Sequence, residues 1–126
     1  VTFIADKTSS LSKLSVHENI NIWKKIFSSK ISTSQIENIL QTLKLDTFVN
    51  QKVNSLSLGE TKKLEFLRLI IENKKIWILD EPLSNLDNES IDVIAQTFED
   101  HRSKEGSIIF SSHQESEINV SEDVLL

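Results

Sequence analysis

Apolar residues change their spacing twice along the chain. VTFIA, Val1–Ala5, is a compact apolar run that predicts a short strand, ending at the polar Asp6-Lys7-Thr8. The spacing then becomes helical. SVHENINIWKKIF opens with Ser15 and Glu18 at the separation of a capping box and predicts a first helix. TSQIENILQTL places Ile36, Ile39, Leu40 and Leu43 at i, i+3, i+4 and i+7 and predicts a second. LDTFVNQKVNSL reads as a loop with some extended character, and a third helix is predicted from about Ser57 to Glu72, with Leu64, Leu67 and Ile71 facing inward. After it the pattern changes again. KIWILD is an apolar strand of the kind buried on both faces of a parallel sheet. NESIDVIAQTFEDHRS is amphipathic through Ile91, Ile94, Ala95 and Phe98, SIIFSS is a second buried strand after Gly106, and EDVLL reads as a further one. Strand, helix, strand is a crossover unit, so the two strands are expected to run parallel. The fold class is therefore α/β: part of a parallel sheet with a helical portion set into it.

Composition narrows the classes of function. A chain of 126 residues with 38% hydrophobic and 26% charged content can build a core. The net charge of −5, without a block of Lys and Arg, disfavours a direct nucleic-acid surface. Absence of cysteine excludes disulfides and thiolate metal sites. No apolar run approaches the ~20 residues of a bilayer span, so a membrane role is expected to be peripheral. The chain has no methionine and begins with Val1, and it is expected to be a fragment of a longer product. Its two glycines, Gly59 and Gly106, cannot form a G-x-x-x-x-G-K-[ST] phosphate loop.

Three places carry candidate chemistry. Asp80 and Glu81 end the IWILD strand, and His113 lies just past the SIIFSS strand. Ligands of open parallel sheets gather beyond the carboxyl ends of the strands, so these three can share one crevice. Two adjacent carboxylates with a histidine suit a hydrated Mg²⁺ and a phosphate, while a solvated turn is the plainer reading of the same acids. LSLGE, Leu56–Glu60, opens the third helix. Ser57 and Glu60 there fit a capping box; equally, the free amides of a helix start, with Gly59 and the Ser57 hydroxyl, suit an anion.

Order and spacing join these places. LSLGE resembles the LSGGQ signature of ABC ATPases, and IWILDE resembles their Walker B strand. SNLD resembles the D-loop, and FSSHQ the strand and switch histidine of the H-loop. Lys63 and Arg68 fall where that family carries basic residues in the signature helix. The resemblance spans essentially the whole chain and implies a partial P-loop NTPase-like parallel sheet with an ABC-type helical subdomain. Residues 1–126 would form one domain fragment, with about 12–60 helical up to the signature and 61–126 holding the signature helix, Walker B and H-loop. It implies ATP and Mg²⁺, with Asp80 binding the metal through water and Glu81 as the general base of hydrolysis. It places His113 at the γ-phosphate and Asp87 at a dimer contact. Ser57, Leu58, Gly59 and Glu60 would meet ATP held by a second ATPase subunit, and the phosphate loop would precede Val1. The partners implied are transmembrane permease subunits, and the location is the cytoplasmic face of the inner membrane. Trp77, Gln114 and KLSVHENINIW resemble more narrowly the ATPase subunit of bacterial haem exporters that serve cytochrome c maturation.

The chain departs from the pattern in three positions. Asp6 or Lys7 stands where the glutamine of the Q-loop is expected, and Asp6 could still offer the metal an oxygen. Leu58 replaces the first signature glycine, and Glu60 the signature glutamine, putting a negative charge near ATP unless it turns back as a cap. The rival readings are a non-catalytic or regulatory ABC-like module and a non-transport ABC ATPase. Only about fifty residues separate the first strand from LSLGE, too few for a coiled-coil arm. The 126 residues alone are expected not to hydrolyse ATP, and the helical portion around Trp23 is the expected docking surface.

Overall fold

The computed structural model describes residues 2–4 and 10–112. Its elements are β1 (Thr2–Ile4), α1 (Val16–Ile26), α2 (Thr33–Thr42), α3 (Leu58–Glu72), β2 (Ile76–Asp80), α4 (Asn88–Ser103) and β3 (Ser107–Ser111). The three strands form a parallel sheet in the order β1-β2-β3, with Phe3 opposite Ile78 and Asp80 opposite Ser111. The expected crossover is therefore present, β2 and β3 lying side by side with α4 between them in sequence. EDVLL lies outside the described residues.

Local chemistry starts each of the first three helices the same way. Ser15 with Glu18, Ser32 with Gln35, and Ser57 with Glu60 all form complete capping boxes. Each box satisfies two amides that a helix start otherwise leaves without a carbonyl. In α1 the apolar stripe Val16, Ile20 and Trp23 is buried, together with Asn19. The Asn19 amide exchanges bonds with the backbone of Leu11 at 2.8 and 3.1 Å, which fixes the loop entering the helix. Ile36, Leu40 and Leu43 are buried in α2 and its cap, as the period required, with Ile39 half-buried.

The segment from 46 to 55 differs from the extended loop expected. It forms two single 3-10 turns, Asp46–Phe48 and Val53–Ser55, and its only bridge pairs Ser15 with Lys52 among the described residues. The reason is visible in its hydrogen bonds. The carbonyls of Gln51 and Val49 accept the amides of Val16 and His17 at 3.0 and 2.9 Å, so the loop caps α1 instead of joining a sheet.

Helix α3 is the centre of the molecule. Leu64, Phe66, Leu67, Leu69 and Ile71 are all fully buried, more than the three inward positions the pattern gave. The helix packs on α1 and on β1, so both of its sides are covered. Two charged residues are buried with it. Arg68 donates to Glu65 and Glu72 at 2.8 Å each, and the Ser10 hydroxyl donates to Glu65 at 2.9 Å. Burial of ions is tolerable when each lone pair finds such a partner.

The sheet corrects a second expectation. β2 is buried on alternate residues, Trp77 and Leu79, while Ile76 is 41% exposed; in β3 Ile108 and Phe110 are half-buried while Ile109 is 62% exposed. Among the described residues only one face of the strands is covered, by Phe66 of α3 and Phe98 of α4. Ring centres of Phe98 lie 5.9 Å from Phe66, 6.4 Å from Trp77 and 6.1 Å from Phe110. In α4, Ile94 and Phe98 are buried and Ala95 packs on the core as expected, while Val93 joins them in place of the expected Ile91, which is half-buried and outside that core. Trp23 is a core side chain, only 5% exposed, so it does not itself form a docking surface.

Candidate functional site

The carboxyl ends of β2 and β3 bring two of the sequence-predicted acids into one polar patch. Asp80 and Ser111 are register partners, and the Ser111 hydroxyl donates to Asp80 Oδ1 at 2.7 Å. The amide of Glu81 lies against the same residue, 3.2 Å from its carbonyl oxygen and 3.3 Å from its hydroxyl. A serine that the sequence reading gave no role thus orients the Asp80 carboxylate and holds the backbone of Glu81. Glu81 takes a left-handed backbone conformation, φ 46°, which side-chain-bearing residues adopt only under local constraint. That turn directs the chain out of the strand into Pro82, which is buried.

The start of α3 forms the second part of the site. Ser57 Oγ accepts the Glu60 amide at 3.1 Å, and the Glu60 carboxylate accepts the Ser57 amide at 3.1 Å. Glu60 therefore turns back as a cap, as the sequence reading allowed. The Ser57 hydroxyl hydrogen remains a donor, and the amides of Leu58 and Gly59 belong to the first turn, where no helical carbonyl reaches them. An anion at this end meets N–H groups and the positive end of the helix dipole. The Leu58 side chain points outward, 74% exposed.

The two parts touch. A Cβ placed on Gly59 would lie 2.7 Å from the carbonyl oxygen of Asn85, so the helix start rests directly on the loop after β2. From the next turn Lys62 donates to the Glu81 carbonyl at 2.7 Å and to the Ser84 hydroxyl at 2.5 Å. Lys62, like Ser111, was missed by sequence reasoning; Lys62 and Lys63 are indistinguishable until the helix is placed. Asp87 is the N-cap of α4, accepting the Ser90 amide at 2.8 Å. The Ser90 hydroxyl and amide hold its carboxyl below the ordinary carboxylate value, with Lys63 and Lys44 adding a smaller attraction. Arg68, the second basic residue singled out in the helix, is enclosed by Glu65 and Glu72.

His113, Gln114, Asp6 and Lys7 lie outside the described residues. A recess of about 530 Å³ opens between α2, α3 and α4, but it lies toward the amino ends of the strands. Trp77, Asn73 and His101 line it, and none of Ser57, Gly59, Asp80 and Glu81 does.

The profile of the ABC transporter family matches residues 1–84 of this chain. The chain belongs to the ABC transporter family. Its relatives include the cytochrome c biogenesis ATP-binding export protein CcmA of Histophilus somni, 34% identical over 90% of this chain and 52% of that protein. The protein of the same name from Reclinomonas americana is 32% identical over 98% of this chain and 56% of its own length. The chain spans about half the length of the curated relatives it matches. An ATP-binding protein of an ABC transporter from Pyrococcus furiosus superposes with a TM-score of 0.74, at 22% identity, over 95% of this chain and 60% of that one. The likeness shows that the parallel sheet and the helices beside it share the fold of that ABC transporter protein. The quoted segments LSLGE and IWILDE fall inside the matched ABC transporter region, and FSSHQ lies beyond it.

Proposed function

We propose that these residues supply the signature and Walker B segments of the ATP-hydrolysing subunit of a bacterial ABC exporter. The cargo assigned to its permease is haem for cytochrome c maturation. The CcmA relatives, named as export proteins of cytochrome c biogenesis, support the export role, and the family resemblance supplies haem as the cargo. One observation carries the chemistry: Asp80 and Glu81 share Ser111 at the strand tips, and the same loop abuts the helix start at Gly59.

Mg²⁺, when bound with ATP, offsets the negative charge of the phosphate oxygens. Asp80 is the carboxylate that would hold it through water. Mg²⁺ binds through one or two carboxylates and keeps most of its waters, so a cage of three protein ligands, which the described residues do not form, is not needed. Asp80, half-exposed and oriented by Ser111, fits that demand. Glu81 takes the proton of the attacking water. The Ser57 hydroxyl and the amides of Leu58 and Gly59 donate to the γ-phosphate of ATP held by a second copy, with Glu60 capping the helix and Asp87 at the contact between copies. The family resemblance assigns His113 to the γ-phosphate and Asp6 to the metal.

The permease docks on the helical portion through the outer side of α1, where Ile26 is 66% exposed, rather than through Trp23. No described helix is long and apolar enough to cross a membrane. On the family resemblance, the subunit works at the cytoplasmic face of the inner membrane, held there by its permease. Glu81→Gln in the whole protein tests the reading. It is expected to retain ATP and to lower turnover about a hundredfold or more. Unchanged turnover would remove Glu81 from the mechanism, and absence of turnover in the parent protein would favour a non-hydrolysing binding module.

A further inference from the structure

We infer that Lys62 is a positioning residue, which ties the signature helix to the turn that holds Glu81. The inference rests on the assignment of Glu81 as the base and of the α3 start as a phosphate donor. In that arrangement the two parts serve different ATP molecules, one held by this subunit and one by its partner copy. Lys62 joins them within one chain.

The geometry is specific. Glu81 stands in the left-handed region at φ 46°, a conformation that costs a side-chain-bearing residue energy and is kept by its surroundings. Its amide end is held by Ser111. Its carbonyl end receives the Lys62 ammonium at 2.7 Å, the Ser84 hydroxyl at 3.0 Å and the Ser84 amide at 3.2 Å. Of these donors only Lys62 comes from outside the turn, and only Lys62 is charged. A charge-assisted bond to a carbonyl is stronger than the neutral ones beside it. Lys62 also donates to the Ser84 hydroxyl, closing a ring of lysine, serine and carbonyl around the turn. The backbone at Glu81 sets the direction of its carboxylate, so a displacement of α3 that pulls on Lys62 reaches the base directly. The contact of Gly59 with the Asn85 carbonyl is a second, steric link between the same two segments.

The test measures ATP turnover of the whole protein against ATP concentration, with thermal midpoints in parallel. Lys62→Met is expected to lower kcat about tenfold while KM for ATP stays within about twofold. Its midpoint should stay within about 2 °C of the parent. Lys62→Arg, whose fork can span the carbonyl and the Ser84 hydroxyl, should restore at least half of the lost kcat. Ser84→Ala should lower kcat less, and adding it to Lys62→Met should cost little more, because both act on one turn. A kcat of Lys62→Met equal to the parent's overturns the inference. So does a loss that follows unfolding and that arginine does not rescue. Glu81→Gln run alongside separates the two possible failures. Full turnover in Glu81→Gln overturns the assignment of the base, and this inference with it. Lost turnover in Glu81→Gln beside unchanged kcat in Lys62→Met overturns the role of Lys62 alone.

Discussion

Replacing Gly59 by alanine sets two effects against each other, and the structure decides the sign. Alanine is the better helix former by about 1 kcal/mol at most, and less in a first turn. Gly59 has ordinary backbone angles, so nothing in its conformation forbids a side chain. The obstacle is space. The new methyl carbon would sit 2.7 Å from the Asn85 carbonyl oxygen, well inside the 3.4 Å where ordinary contact begins. The atom that must yield is backbone, in a residue that is itself held at φ 63°. Overpacking of this kind costs about 1–3 kcal/mol, so the net loss is expected near 1 kcal/mol. For a chain of this size that lowers the thermal midpoint by about 2–6 °C. Urea unfolding should show the same loss as a lower midpoint at unchanged slope. Leu58→Ala is the control: its side chain is 74% exposed, and stability should stay within about 0.5 kcal/mol. A Gly59→Ala protein as stable as the parent, or more so, would refute the contact between the helix start and the loop.

Two further substitutions probe electrostatics. Arg68→Met removes the cation facing Glu65 and Glu72, whose side chains are only 5% and 10% exposed, and is expected to cost about 3–5 kcal/mol. Arg102→Met breaks a pair of the same spacing on the open face of α4 and should change stability by less than about 0.5 kcal/mol. Equal losses in the two would contradict the burial of the first pair. Asp87→Asn keeps a capping oxygen but removes the titration. The folded carboxyl is held below its ordinary 3.8, so its contribution is present above that pH and fades as pH falls through the lower folded value. Midpoints of parent and variant should differ near neutrality and converge in acid; parallel curves would exclude a role for the charge.

Much of this architecture is written in local chemistry. Ser15 with Glu18 and Ser57 with Glu60 announce their helices because a capping box needs only residues three apart. The α4 segment from Asn88 to Ser103 is read to the residue because its period and its flanks agree. The 46–55 loop is not legible in this way, since its form follows from α1 needing carbonyls at its start. Burial on both faces of β2 was inferred from apolar content, yet Ile76 and Trp77 are equally apolar and only one is covered. Site chemistry divides similarly. Asp80 and Glu81 stand out as paired acids at a strand end. Lys62 and Ser111 acquire meaning only when separate segments are brought together in space.

The side of the sheet that the described residues leave uncovered has a practical consequence. Ile76 and Ile109 line a wet apolar strip, and β3 is an edge strand among the described residues, with backbone groups available to another chain. Edges of this kind template intermolecular pairing, and apolar strips beside them strengthen it. Preparations of these 126 residues by themselves will therefore tend to self-associate through that strip. Lysine at Ile109, which leaves the covered face untouched, is the substitution that should keep them dispersed.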